Sequence, residues 1–393
     1  MISDETLCWG TEKSCIREIF EYGLRRKAEM GEDKVFDFSL GNPSVPAPPE
    51  VRAAILRALD DPTVHGYTVA PGRVSLREKI AGELNGRCGS RLGPEDIYVT
   101  CGAAAALASA MKGLTRPGEE VVALAPYFPE YAVFARGAGA RFLSCPLRSA
   151  DLQLDPAALE GVLTEKTAVV LVNSPNNPSG AVLNAESLGT LAEVMERAER
   201  RFGHPIYLVS DEPYRELVYE GATAESPLRY YDDTIVCYSW SKSLSLPGER
   251  VGYFAVSDRA AGRREIYASM AGAARSYGYV NPPSLMQRVA EDCVGLAPDL
   301  EAYRKNRAAL CEALDAAGFS YIRPDGAFYL FIRSPEPDAR AFSLRAREHG
   351  LLLVPSDDFG VGGFVRAAYC VAPEVIERAG PAFAALAGEY GIT

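Results

Sequence analysis

The stretch SWSKSLSLPGERVGY, residues 239–253, sets one lysine, Lys242, directly after the apolar, β-type run Thr234 to Tyr238. Small hydroxyl residues flank it, and Arg250 follows eight positions on. An amine held at the end of a rigid strand can be desolvated, deprotonated and kept nucleophilic, as a Schiff base to an aldehyde cofactor requires. Taken alone, S-x-S-K reads more simply as a solvated loop lysine, so the rest of the chain must decide. Two other stretches handle anions. Gly102, Ala103 and Ala104 open a helix straight after a strand, where backbone N–H groups and the helix dipole can cradle an anion. Arg366 lies inside the otherwise apolar run GGFVRAAYC, and burying a guanidinium there is expensive without an anionic partner.

The elements that position these residues follow from hydrophobic pattern. Apolar runs at Ile97 to Cys101, Val121 to Leu124, Phe142 to Cys145, Ala168 to Val172, Ile206 to Ser210, Ile235 to Ser239 and Val251 to Val256 alternate with helix-length segments. Most are too continuous for half-exposed strands, so they predict a largely parallel α/β sheet buried on both faces. Ligands of such sheets collect beyond the carboxyl ends of the strands. Five of the runs end in polar or small-residue sequence, CGAAAAL, APYFPEY, NSPNNPSG, SDEPY and SWSKS, and these ends are expected to converge on one site.

Around this core, Ile16, Ile19, Phe20, Gly23 and Leu24 at helical spacing, after Ser14 as N-cap, predict an amphipathic first helix. The proline-rich segment Gly41 to Pro49 must be extended. Past residue 290, a helix over Leu300 to Ala317, a hairpin in GFSYIRPDGAFYLFIRSP and a final helix from Pro373 predict a smaller α+β lobe. The expected division is 46–292 for a large domain, with 1–45 and 293–393 forming the small one.

At 393 residues, 48% hydrophobic and 24% charged, the chain can bury a substantial core. Its net charge of −11 and lack of clustered Lys and Arg argue against a nucleic-acid partner. Nine scattered cysteines without a C-x-x-C pair fit reduced thiols, and neither an apolar signal core nor a membrane-length apolar run is present, so a cytoplasmic location is expected. His65, His204 and His349 stand apart, and no metal site is expected.

With these motifs in this order, the chain resembles the class I/II aminotransferases of the aspartate aminotransferase type, which are fold type I pyridoxal-phosphate enzymes. The resemblance runs from the GNP loop at Gly41 to the Arg366 strand. It implies a mostly parallel seven-stranded sheet in the large domain and pyridoxal 5'-phosphate as cofactor. Lys242 would form the internal aldimine and shuttle the substrate proton, and Asp211 would pair with the pyridine nitrogen. Tyr214 and Asn177 would hold the cofactor's phenolic oxygen, and Phe128 would stack on its ring. Tyr127 and Tyr131, in the same PYFPEY segment, are less readily placed. Gly102, Ala103, Ala104, Ser239 and Arg250 would bind the phosphate. Family members usually supply a side-chain hydroxyl where this chain has alanines, which shifts weight onto Ser239, Arg250 and Tyr67 of the partner subunit. Arg366, with Asn177 and the Gly41 backbone, would grip the substrate α-carboxylate.

The expected activity is transfer of the amino group of an L-amino acid, aspartate by preference, to a 2-oxo acid, 2-oxoglutarate by preference, in a ping-pong cycle of a homodimer with shared sites. Arg275, in ARSYGYVNPP, is the candidate for a second substrate carboxylate, provided that an extended backbone turns it inward. If it points outward, Tyr277 and Tyr279 favour an aromatic or apolar donor. A β-eliminating lyase would use the same pocket. The regulator-type relatives of these enzymes need a basic DNA-binding domain, for which the roughly forty residues before the GNP loop leave no room.

Overall fold

The computed structural model describes residues 2–11 and 14–392. After a short first strand, β1 (Phe36–Asp37), the chain lays down β2 (Ile97–Thr100), β3 (Glu120–Ala125), β4 (Arg141–Pro146), β5 (Thr167–Asn173), β6 (Tyr207–Asp211), β7 (Thr234–Ser239) and β8 (Gly252–Val256). These last seven form one sheet in the order β2-β8-β7-β6-β5-β3-β4. Pairings from β4 across to β7 are parallel, and β8 is antiparallel to both its neighbours, so β8 alone runs against the other six. The mostly parallel seven-stranded sheet expected from the apolar runs is therefore present.

Successive residues of the central strands enter different cores, which is why the runs are continuous. Val121 and Val169 face the helices Ala103–Leu114 and Arg263–Ser276, whereas Val122 and Val170 face Leu188, Leu191 and Met195 of the helix Ala185–Phe202. The alanine run of Ala103–Leu114 has a packing reason beyond helix propensity. Most of that helix is buried, and a Cβ on its Gly113 would come within 2.9 Å of the Met270 backbone on the neighbouring helix.

The C-terminal part adds β9 (Tyr321–Ile322), β10 (Tyr329–Arg333), β11 (Leu351–Leu352), β12 (Val354–Pro355) and β13 (Phe364–Ala368). Four of these make an antiparallel sheet ordered β12-β13-β10-β9, in which Arg366 sits opposite Phe331. Phe38, Tyr303, Phe328, Ile376 and Phe383 pack against it, drawing on the helices Leu300–Ala316 and Pro373–Glu389. The predicted first helix is Cys15–Met30, with the Ser14 side chain accepting from the Arg17 amide as N-cap. β1 then pairs in parallel with β11 as a separate two-stranded sheet, tying the N-terminal segment to the C-terminal part of the chain.

Two local features differ from the sequence reading. A further short helix, Asp4–Thr11, precedes the first predicted one; with no buried residue it carries no strong apolar stripe to announce it. The segment around Arg275 is not extended: Arg275 and Ser276 are the last residues of the helix Arg263–Ser276, where Ile266, Met270, Ala273 and Ala274 form the buried stripe. Neighbouring side chains there are rotated by about 100° rather than flipped between faces. No helix among the described residues is long and apolar enough to cross a membrane.

Candidate active site

All five polar strand ends meet at one cavity of about 280 Å³, on the edge of the sheet where the parallel strands terminate. Ala103 and Ala104 follow β2, Phe128 and Tyr131 follow β3, and Asn173 and Asn177 come from the end of β5. Asp211 and Tyr214 lie at the end of β6, and Ser239, Ser241 and Lys242 at the end of β7. From the C-terminal sheet come Tyr329 and Arg366, and from the N-terminal segment Ile16, Leu40 and Gly41.

Among the described residues Lys242 is the only lysine lining the cavity, and its Nζ donates to the Gly41 carbonyl at 2.6 Å. Removal from water lowers its pKa to about 8; Cys370 opposes the shift, and the positive charges of Arg366 and Arg250 add to it. The amine is thus far easier to deprotonate than a surface lysine. Gly41 cannot be larger, because a Cβ there would overlap the Tyr329 hydroxyl at 1.9 Å.

Asp211, the last residue of β6, is buried. Its Oδ2 accepts from the Tyr131 hydroxyl at 2.5 Å, and its Oδ1 is buried with no partner. Burial is the main cause that lifts its carboxyl to about pKa 7; the Tyr131 bond opposes this and the neighbouring Glu212 charge reinforces it. The carboxylate is no helix N-cap, and its free oxygen calls for a cationic or N–H donor from a ligand.

Beside it, the Tyr214 and Tyr329 hydroxyls are 2.9 Å apart, and burial raises both their pKa values. The Asn173 side-chain amide donates to the Asp211 carbonyl, and its Oδ1 accepts from the Asn177 amide at 2.8 Å, locking the ends of β5 and β6 together. Asn177 Oδ1 in turn accepts from Arg366 at 2.9 Å. Arg366 is 1% exposed, also donates to the Ser39 carbonyl, lies 4.7 Å over the Tyr329 ring, and keeps an unpartnered Nε. None of these partners is a carboxylate, so the fork is available to one.

At the other end, Gly102 precedes the helix Ala103–Leu114 with φ 83°, a conformation suited to glycine, and a Cβ there would press on the Arg250 guanidinium at 2.9 Å. Arg250, itself at φ 51°, donates to the Pro247 and Cys101 carbonyls while lining the cavity. The Ser239 and Ser241 hydroxyls are 3.1 Å apart at the same end. Ser241 is thus a second hydroxyl, beside Ser239, in a cavity whose helix start offers only alanines.

Among the described residues, lysine and arginine at three positions, 242, 250 and 366, face a single carboxylate, Asp211, across this cavity. Such a donor set fits pyridoxal 5'-phosphate with an amino acid. Helix N–H groups, two hydroxyls and Arg250 suit a phosphate, the orphaned Asp211 Oδ1 suits a protonated ring nitrogen, and Arg366 suits a carboxylate.

Two expected residues lie elsewhere. Tyr67 is fully exposed and Arg275 is exposed; neither lines the cavity of its own chain. Tyr127 also stays outside, edge-on to Phe142. Tyr329, Ser241, Asn173, Ile16 and Leu40 are additional lining residues. Ser241 was visible in S-x-S-K, and Asn173 opens NSPNNPSG; Tyr329 carried no signal beyond an aromatic strand. Among the described residues no cluster of His, Cys, Asp or Glu is placed to hold a metal.

The sequence model of the family "Aminotransferase class I and II" matches residues 33–382. A protein of Thermus aquaticus described as a probable aspartate/prephenate aminotransferase is 32% identical over 372 residues, 92% of each chain. The crystal structure of an amino transferase from Eubacterium rectale superposes with a TM-score of 0.97 at 44% identity, covering 99% of both chains. Aspartate aminotransferase from Thermus thermophilus with maleate superposes with a TM-score of 0.88 at 28% identity, over 98% of this chain and all of that one.

Proposed function

This chain belongs to the class I and II aminotransferases, which depend on pyridoxal 5'-phosphate, and from that premise we propose that its cavity transfers the amino group of L-aspartate to 2-oxoglutarate. The observation that carries the site assignment is the buried, unpartnered Asp211 Oδ1 in the same cavity as Lys242. When bound, the cofactor supplies an aldehyde for an amine and a protonated ring that takes up the electron pair released at the substrate Cα.

The chain's own groups do the rest. Asp211 Oδ1 would accept from the ring nitrogen and keep it protonated, while Tyr131 fixes the carboxylate through Oδ2. Tyr214 and Asn177 would hold the phenolic oxygen, and Phe128 would lie against the ring. The Ala103 and Ala104 amides, Ser239, Ser241 and Arg250 hold the phosphate. Arg366 binds the substrate α-carboxylate with Asn177 as its brace. Lys242, its pKa near 8, removes the Cα proton as a general base once its bond to the Gly41 carbonyl is released.

Aspartate is supported by the names of the relatives, and a second substrate carboxylate needs a second cation. We assign it to Arg275 of a second copy, in a cytoplasmic homodimer in which Tyr67 joins the neighbouring phosphate site. Exposed Leu56, Leu59, Tyr67, Val69, Tyr277, Tyr279 and Val280 give such a pair apolar surface to bury. One observation favours a different donor: Ile16, Leu40, Phe128 and Phe134 wall the cavity with apolar side chains from its own chain, which suits an aromatic amino acid. Incubating the enzyme with single amino acids plus 2-oxoglutarate decides the matter. Glutamate formed fastest from aspartate supports the first reading, and fastest from phenylalanine or tyrosine the second. Release of ammonia and pyruvate in place of glutamate refutes transamination.

A further inference from the structure

Behind the cavity, on the side of the Asp211–Tyr214 turn that faces away from it, a buried guanidinium collects most of the polar groups of the region. Arg215 donates to Glu216 at 2.9 Å, to Glu83 at 2.8 Å and to the Tyr253 hydroxyl at 2.9 Å, and lies 3.8 Å from Glu212. Its guanidinium stacks on the Tyr238 ring at 3.9 Å. Glu212 is held separately by the Ser210 and Ser226 hydroxyls, and Glu83 also faces Arg87.

One branch of this cluster leads to the lysine. Glu216 Oε1, already bonded to Arg215, also accepts from the Tyr238 hydroxyl at 3.0 Å, and that hydroxyl lies 2.8 Å from Ser243 Oγ. A phenol has one proton; with it committed to the carboxylate, Ser243 must donate to the Tyr238 oxygen. Ser243 directly follows Lys242, and Tyr238 directly precedes Ser239, so this bond closes the base of the loop that carries the lysine. The other end of the chain, Arg215, directly follows Tyr214. A continuous path of hydrogen bonds, through the half-buried Glu216, thus joins the turn bearing Asp211 and Tyr214 to the loop bearing Lys242.

We propose that Tyr238 is a positioning residue for Lys242: its hydroxyl, anchored by Glu216 and Arg215, fixes the lysine relative to Asp211 and Tyr214 through Ser243. The proposal rests on the assignment of Lys242 as the cofactor-bearing amine. Small displacements at a reacting nitrogen are costly because proton transfer depends on near-contact geometry. Arg215 itself is a poor target, since removing it takes a buried cation from three carboxylates at once, Glu83, Glu212 and Glu216. Deleting single hydroxyls is gentler and comes with an internal control. Tyr238→Phe breaks the path to Lys242 at its bonds to Glu216 and Ser243; Tyr253→Phe removes a neighbouring hydroxyl, which accepts from the Arg215 guanidinium and lies outside that path.

In the holoenzyme, Tyr238→Phe and Ser243→Ala should each lower kcat at least tenfold. The donor KM should stay within about twofold, and the visible circular dichroism of the bound cofactor should weaken. Tyr253→Phe should keep kcat within twofold and retain the dichroism, with a loss of Tm like that of Tyr238→Phe. Full kcat and dichroism in both Tyr238→Phe and Ser243→Ala, or equal losses in Tyr253→Phe, would overturn the proposal. If Tyr238→Phe does not fold, Ser243→Ala alone decides by the same criteria. The underlying assignment fails separately, if Lys242→Ala keeps a borohydride-reducible cofactor adduct.

Discussion

Replacing Asp211 by asparagine separates what this carboxylate costs the empty protein from what it gives the loaded one. Burial lifts its pKa to about 7, whereas in the unfolded chain it titrates near 4. Below that range both states hold the proton. Between about pH 4 and 7 the folded cofactor-free protein holds a proton that the unfolded chain has lost, so its stability falls as the pH rises. By pH 8 the ionised group costs on the order of 4 kcal/mol, of which less than about 2 is already present at pH 5. That leaves about 2–3 kcal/mol between the two pH values, or a few degrees in Tm for a chain of this size. The cofactor-free wild type should therefore lose about that much relative to Asp211→Asn when moved from pH 5 to pH 8 in matched melts. Holoenzyme should show no such relative loss, because the ring nitrogen supplies the missing partner, and Asp211→Asn should retain cofactor poorly and slow the half-reaction by orders of magnitude. Parallel pH profiles for wild type and variant without cofactor would refute the claim that Asp211 is a strained buried carboxyl awaiting a ligand.

Arg275→Leu should lower kcat/KM for aspartate at least tenfold, about 1.4 kcal/mol, while sparing phenylalanine; equal loss on both donors, or on neither, would discard the second-carboxylate role. Mixing the inactive variants Tyr67→Ala and Lys242→Ala should restore part of the activity, because one of the two sites in a mixed dimer is intact. No recovery despite demonstrated subunit exchange would rule out a shared site.

The sequence was most legible where chemistry coincides with the end of an element. Continuous apolar runs announced the seven strands because nearly all are covered on both faces, and the polar residues after five of them share one cavity for the topological reason that β2, β3, β5, β6 and β7 point the same way. Contacts made across long loops were not legible. Tyr131 reaches Asp211 from 80 residues away and Tyr329 reaches Tyr214 from 115, and no local periodicity encodes either meeting. Arg275 shows the opposite failure, in which a local rule was applied to the wrong element. The proline-rich NPP turn suggested an extended approach, yet the stripe Ile266, Met270, Ala273 and Ala274 carries the helix through Ser276. The Arg215 cluster escaped notice because a buried arginine in a turn looks, in sequence, like a solvated one.

The most direct test of the account is borohydride reduction of the purified holoenzyme followed by peptide mapping by mass spectrometry. Lys242 is the one lysine among the described residues that lines the cavity, its amine is desolvated, and it shares that cavity with the orphaned Asp211 oxygen, Arg250 and Arg366. The reduced cofactor should be found on the peptide containing Lys242, with the visible absorbance band lost in Lys242→Ala. A stoichiometric adduct on any other lysine, or an undiminished band in that variant, would contradict it.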